Sequence, residues 1–445
     1  MSGWTRENIS VFDKLKEGKI GAVLARFAIP SVLSLLIGDF YNVANTHYLN
    51  EYTGHTGVAT LAITGNFFLC LIAFSYLFAT GSQILLSIYI GRGEQTRCKE
   101  VISLSIFFTF IIGVIFGIIG YKILPSLIYL FATPTQLIPL VHAYMGVTLM
   151  GLPWILIYFL MFGIFSSFGK FNLTLSMSIL FCISNLVFVP IVLKQGSGMA
   201  GVAWVNVLSS FGIDCILLTV LVISKQLTLS FLNNFFKELR EFVKIIYIGM
   251  AYFIPFFTKI VVMTLVLHWM KSYNSLWLLT SWGSYFRFYM FVYMAMVGMR
   301  QAAMPIFAYF KGYNSEKGIE AYSTIMKWVG NVAMLIWIVV LIFIDPIMKY
   351  QLNDIYGKHL LLIMCLALPF AGIESLSLGY LQTQLSIKLT IALDLLDKVT
   401  LLLVTAILVT LFGQKGFYFI FLATSIIMSI TLFKIVTHKK LKNSH

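Results

Sequence analysis

Asp39, Glu374, Asp394 and Asp397 interrupt stretches of sequence otherwise suited to hydrocarbon. A charge at mid-membrane costs at least ~2.5–3.5 kcal/mol on insertion scales, so each acid is expected to meet a cavity, a partner or an ion. A carboxylate so placed can take up and release a proton or a sodium ion. These four acids are therefore the coupling-ion candidates, with Glu374, five residues after Pro369, placed first. Asp394 and Lys398 are spaced i, i+4 and are expected to pair with each other. That leaves Glu374 and Asp397 to face Lys259 or Arg287. The competing reading makes all of these charges fixed ion pairs that hold a helix bundle together.

Around Asp39 the stretch "DFYNVANTHYLNEYTG" adds amides and hydroxyls. Asp39, Asn42 and Thr46 stand at i, i+3 and i+7 and share one helical stripe, with Asn45 at its edge. This stripe is expected to line a cavity. Tyr41, Tyr158, Tyr285 and Tyr289 are the aromatic candidates for a substrate cleft, because ring faces attract organic cations. Lys259 and Arg287 join them, and if they line that cleft the substrate is anionic or zwitterionic instead. No two histidines have metal-ligand spacing, and no metal is expected. No nucleophile elbow and no phosphate-binding loop is present, so neither an enzyme nor a bound cofactor is expected.

The elements that position these residues follow from composition. Of the 445 residues 59% are hydrophobic and 11% charged, against about 25% charged in soluble domains. The sequence reads as about twelve apolar spans, each long enough at roughly 20 residues to cross a bilayer. Backbone polar groups find no water there, so the spans are helices. The formal charge of +14 follows from topology: about 21 Lys and Arg fall on the inner side and about 6 outside. The expected placement is a multi-pass protein of the cell membrane with both termini cytoplasmic, in contact with anionic lipid and with no nucleic-acid partner. Ile9, Val11, Phe12 and Leu15 form a short interfacial segment ahead of the first span.

The two halves repeat. "RFAIPS" at 26–31 recurs as "AYFIPF" at 251–256, "GLPW" at 151–154 as "ALPF" at 367–370, and "GMAG" at 198–201 as "GQKG" at 413–416. Gly163 and Gly379 each follow the second of these prolines by ten residues. All but the first of these correspondences share an offset of about 216 residues, which marks a duplicated six-helix unit, a known transporter plan. The expected fold is an all-α polytopic membrane protein of two six-helix bundles related by a pseudo-two-fold axis along the membrane normal. The lobes are residues 1–224 and 244–445, joined by a cytoplasmic linker at 225–243.

"FAIPSVLSLLIGDFYNVANT", "ATGSQILLSIYIGRGE", "NLVFVP" before "GMAGVAW", and "GMRQAAMPIFAYFKG" resemble, in order and over nearly the whole chain, the multidrug and toxic compound extrusion (MATE) family. The resemblance implies secondary active export of small amphipathic organic compounds by alternating access, driven by inward proton or sodium flow. It implies a small-molecule substrate and a chain that acts as a monomer. Flippases for lipid-linked saccharides share the architecture. The alternatives are therefore export of such a lipid, a peptide or a natural product, or an uncoupled, degenerate transporter. The family pattern Tyr-Asn-x-x-Asp-Thr appears as Tyr41-Asn42-Val43-Ala44-Asn45-Thr46, so Asn45 replaces a coupling acid. The pattern Asn-x-x-x-Asp-Pro appears as Asn185 through Pro190 with Val189 in place of the second acid. Asn206 corresponds to a family threonine. The resemblance thus implies a polar site of Asn42, Asn45, Thr46, Asn185 and Asn206 without a carboxylate.

Overall fold

The computed structural model describes residues 12–130, 133–228, 235–273, 275–346 and 355–443. Those residues are almost entirely helical, and no strand occurs among them. The helices are α1 (Ile20–Arg92), α2 (Gln95–Leu130), α3 (Ile138–Met150), α4 (Leu152–Ser167), α5 (Phe171–Lys194), α6 (Gly198–Ile223), α7 (Phe235–Lys271), α8 (Leu276–Tyr313), α9 (Ser315–Ile342), α10 (Ile355–Leu366), α11 (Leu368–Thr383), α12 (Ile387–Phe412) and α13 (Ile420–Asn443). Of the interfacial segment, Phe12 and Leu15 are buried, while Ile9 and Val11 lie outside the described residues.

Two of these assignments conceal a break or a join. In α1, Gly54 adopts φ 64° and ψ −156°, so the 73-residue helix is two apolar spans meeting at a sharp turn. A side chain at that dihedral pair would be strained, and glycine is not. In the other direction, α3 and α4 bend by 59° and make one span together. With α10 and α11 likewise making one span, Gly357–Thr383, the described residues carry the twelve apolar spans expected.

The internal repeat is visible in the backbone. The α3–α4 break falls at Gly151, with Pro153 in the first turn of α4. The α10–α11 break falls at Ala367, with Pro369 in the first turn of α11. Proline suits the first helical turn because its missing N–H has no partner there in any case. Gly198 and Gly413, which open the paired "GMAG" and "GQKG" turns, take the same left-handed φ of 54° and 58°.

The chain forms two compact units. The N-terminal unit is Met1–Phe12 with Leu33–Phe253, and the C-terminal unit is Asp13–Val32 with Ile254–His445. The first helix of each half thus changes unit next to its proline, Pro30 or Pro255. Within the N-terminal unit, the start of α7 is held by Arg97–Glu238 at 3.5 Å and by a 3.1 Å hydrogen bond from Tyr89 to Glu241. A methyl group on Gly249 would lie 1.8 Å from the Leu77 carbonyl oxygen, so these helices touch through their backbones. Within the C-terminal unit, Lys317 donates to the Lys16 carbonyl at 3.2 Å and Ser31 to Gln301 at 3.2 Å.

Candidate functional site

In the N-terminal unit a hydrogen-bonded chain crosses three helices. The Tyr41 hydroxyl donates to Asn206 Oδ1 at 2.7 Å and accepts from Asn45 Nδ2 at 3.2 Å. Asn206 Nδ2 donates in turn to the Tyr144 hydroxyl at 3.4 Å. Asn45 follows Tyr41 by one turn of α1, which stacks the two side chains on one face. Asn185 donates to the Phe181 carbonyl of its own helix at 2.9 Å. The Phe181 ring stands edge-on to Tyr41 at 5.5 Å and tilts against Tyr158 at 5.4 Å. Tyr41, Tyr158 and Asn185 therefore converge on one phenylalanine.

Two acceptors in this region have no donor: Asn45 Oδ1 and Asn185 Oδ1 are both buried without a hydrogen bond. A buried oxygen left so costs about 1–3 kcal/mol, and a bound cation would remove that cost. Asn42 and Thr46 do not join the chain, since Thr46 bonds back to the Asn42 carbonyl at 2.8 Å and Asn42 is exposed. Asp39 is half-buried two residues before Tyr41 and makes no hydrogen bond among the described residues.

The C-terminal unit gathers charge instead. Lys398 Nζ lies 2.5 Å from Asp397 Oδ2 and 3.4 Å from Asp394 Oδ1, so one lysine takes both aspartates. The second oxygen of Asp394 is buried without a donor. Glu374 on α11 stands within electrostatic reach of Asp397, Lys398, Asp394 and Lys259. Lys259 on α7 lies 5.5 Å over the Tyr293 ring, a cation–π contact. Three acids here face two lysines, and Arg300 adds a third cation beside Asp394. Arg300 reaches Asp394 from the edge while its guanidinium lies 3.4 Å from Gln382 Oε1.

The other sequence candidates lie apart from this group. Arg287 is exposed on α8. Tyr285 is fully buried and occupies the space beside Gly357, where an added methyl group would lie 2.0 Å from its hydroxyl. Tyr289 is buried and stacks on Phe421 at 5.5 Å and on Tyr293 at 6.0 Å. Among the described residues no cluster of His, Cys, Asp and Glu has the makings of a metal site.

The model of the MatE family matches residues 30–191 and 248–397, taking in both units. This chain belongs to the MatE family. It is a multi-pass membrane transporter and not an enzyme. Among curated relatives, the multidrug export protein MepA of Staphylococcus haemolyticus is 20% identical over 410 residues, 90% of each chain. The probable multidrug resistance protein YoeA of Bacillus subtilis is 22% identical over 222 residues, about half of each chain. The bent form of the Vibrio cholerae MATE transporter VcmN superimposes with a TM-score of 0.88 at 15% identity, covering 96% of this chain and 98% of that one. A MOP superfamily transporter of Pyrococcus furiosus, described as having a binding pocket of reverse polarity, superimposes at 0.84 with 16% identity, covering 94% and 95%.

Within the MatE frame the two altered positions have different fates. Asn45 keeps a polar role through Tyr41. Val189 is buried in an apolar cluster with Leu49, Tyr144, Leu193 and Met199. One buried acid was not among the sequence candidates. Asp214 on α6 is fully buried, and neither of its oxygens has a hydrogen-bond partner. Its signal was available as a four-residue period, Asn206, Ser210 and Asp214, which places three polar side chains on one helical face.

Proposed function

We propose that this MatE transporter moves small amphipathic organic compounds out of the cell by alternating access, and that the Glu374 group carries the coupling ion. The observation behind this reading is that Glu374 stands among Asp394, Asp397, Lys398 and Lys259 without a hydrogen bond of its own among the described residues. Lys398 is committed to the two aspartates at 2.5 and 3.4 Å. Glu374, which has no hydrogen bond among the described residues, is left to exchange a proton or sodium ion. A cation bound at Glu374 changes the charge of the group and its release changes it back, which biases a two-state equilibrium. The membrane is the cell membrane, with both termini in the cytoplasm, and the working unit is the single chain. The MepA and YoeA relatives, described as multidrug proteins, support an organic and chemically broad substrate class.

The test is transport into proteoliposomes under an imposed proton or sodium gradient, with a panel of organic cations, zwitterions and anions. Gradient-driven uptake of at least one compound is expected; uptake indifferent to both gradients rules the reading out. A second reading, export of an anionic or lipid-linked compound, draws on Arg287, which is exposed on an apolar helix. Preference for anions in the same panel, abolished by Arg287→Ala, would select it.

A further inference from the structure

Asp214 has zero exposure, and both of its carboxylate oxygens are buried with no hydrogen-bond donor. It lies two turns beyond Asn206 on the buried face of α6, about 12 Å along the axis. That separation takes it out of the Tyr41–Asn206 chain. Helices α1, α3, α4 and α5 pack on α6, α1 through the Tyr41–Asn206 hydrogen bond and through Leu49. From α4, Tyr158 faces the carboxyl, and its hydroxyl also meets Ser178 of α5. The other titratable groups of these helices are engaged elsewhere. Tyr41 and Tyr144 bond Asn206, Tyr48 and Tyr52 pack on the cluster of Leu49 and Val202, His142 packs on the Tyr121 ring, Cys182 lies toward Tyr41, and Lys194 is exposed.

An ionised carboxylate in such a place has neither water nor donor nor counter-charge, an arrangement that costs several kcal/mol. A metal cation would need a shell of several ligands, and among the described residues no group of three His, Cys, Asp or Glu forms around Asp214. A proton needs no shell. We propose that Asp214 is a proton-carrying acid of the N-terminal unit, closed around its proton in this conformation and releasing it to water when the α4–α6 face opens. Uptake forms one O–H bond on the carboxylate; release breaks that bond and hands the proton to water, leaving the anion hydrated. The acid that positions 45 and 189 lack is in this way supplied from α6. The inference rests on the ion-driven reading above but concerns a different unit and a different residue.

Infrared spectroscopy of the purified, full-length protein tests it directly. At neutral pH the spectrum should show the carbonyl stretch of a buried protonated carboxyl group, shifted in heavy water. That band should persist in Asp39→Asn and Glu374→Gln and vanish in Asp214→Asn. In proteoliposomes with ethidium as probe, Asp214→Asn should keep gradient-free exchange. It should lose about tenfold of the acceleration given by a proton gradient, within the usual range of site-to-site coupling. Asp214→Glu, which returns a titratable group, should recover part of that acceleration. A spectrum unchanged in Asp214→Asn, or full proton drive in that variant, overturns the proposal while leaving transport by the Glu374 group intact. If the wild type itself ignores the proton gradient but the band is present and assigned to Asp214, the coupling reading fails and the site stands.

Discussion

Lys398 and Asp397, neighbours in sequence, are also neighbours in space, with Nζ and Oδ2 2.5 Å apart inside the C-terminal unit. Asp394, one turn earlier, shares the same ammonium. The pair that i, i+4 spacing suggests is thus a triad. Its stability depends on the lysine, because both aspartates are buried. Removing one partner of a buried ion pair strands the other at about 3–5 kcal/mol. Lys398→Met is expected to lower the thermal midpoint of the detergent-purified protein sharply. Adding Asp394→Asn and Asp397→Asn should recover most of that loss. A single variant as stable as wild type would show the triad to be weak.

The proposed reading makes Glu374 the acid that exchanges the ion, since Lys398 holds both aspartates. Glu374→Gln is therefore expected to weaken gradient-driven transport more than Asp39→Asn does, by about tenfold or more if its coupling energy is typical. The comparison is made on initial rates of uptake under identical gradients. Equal or reversed effects would place the coupling acid elsewhere.

The family resemblance sets Asn45 in place of an acid, and its own Oδ1, like that of Asn185, is buried without a donor among the described residues. Asn45→Asp should create a cation site there. Its melting temperature should rise with sodium chloride and not with choline chloride, following the usual mass-action dependence on ligand concentration. The wild type should show a smaller sodium effect. Identical curves in both salts for the variant would mean that the amide oxygens do not converge on one ion.

Gly249 allows α7 to lie against the backbone at Leu77, since a methyl group there would come within 1.8 Å of the carbonyl oxygen. Gly249→Ala is expected to cost about 1–3 kcal/mol by overpacking. Gly212→Ala, which meets open space, should be neutral or slightly stabilising through helix propensity. Unfolding of both variants in the same detergent decides the point.

Features set by the local chain were legible in the residues. The apolar spans, the helix breaks ahead of Pro153 and Pro369, and the paired turns at Gly198 and Gly413 each depend on backbone preferences that a few neighbouring residues impose. The duplication followed from those same signals recurring at a constant offset.

Tertiary packing decided everything that depends on which side chains meet. Nothing near Tyr285 in sequence says that Gly357 makes room for it, or that the 13–32 segment packs within the C-terminal unit while the start of α7 packs within the N-terminal one. Asp214 and Asp39 are the same residue type in similar apolar helices. One is sealed without a partner and the other is half-exposed, because burial is set by helices remote in the chain. A sequence specifies the charge a residue carries; the free energy of holding that charge comes from its surroundings.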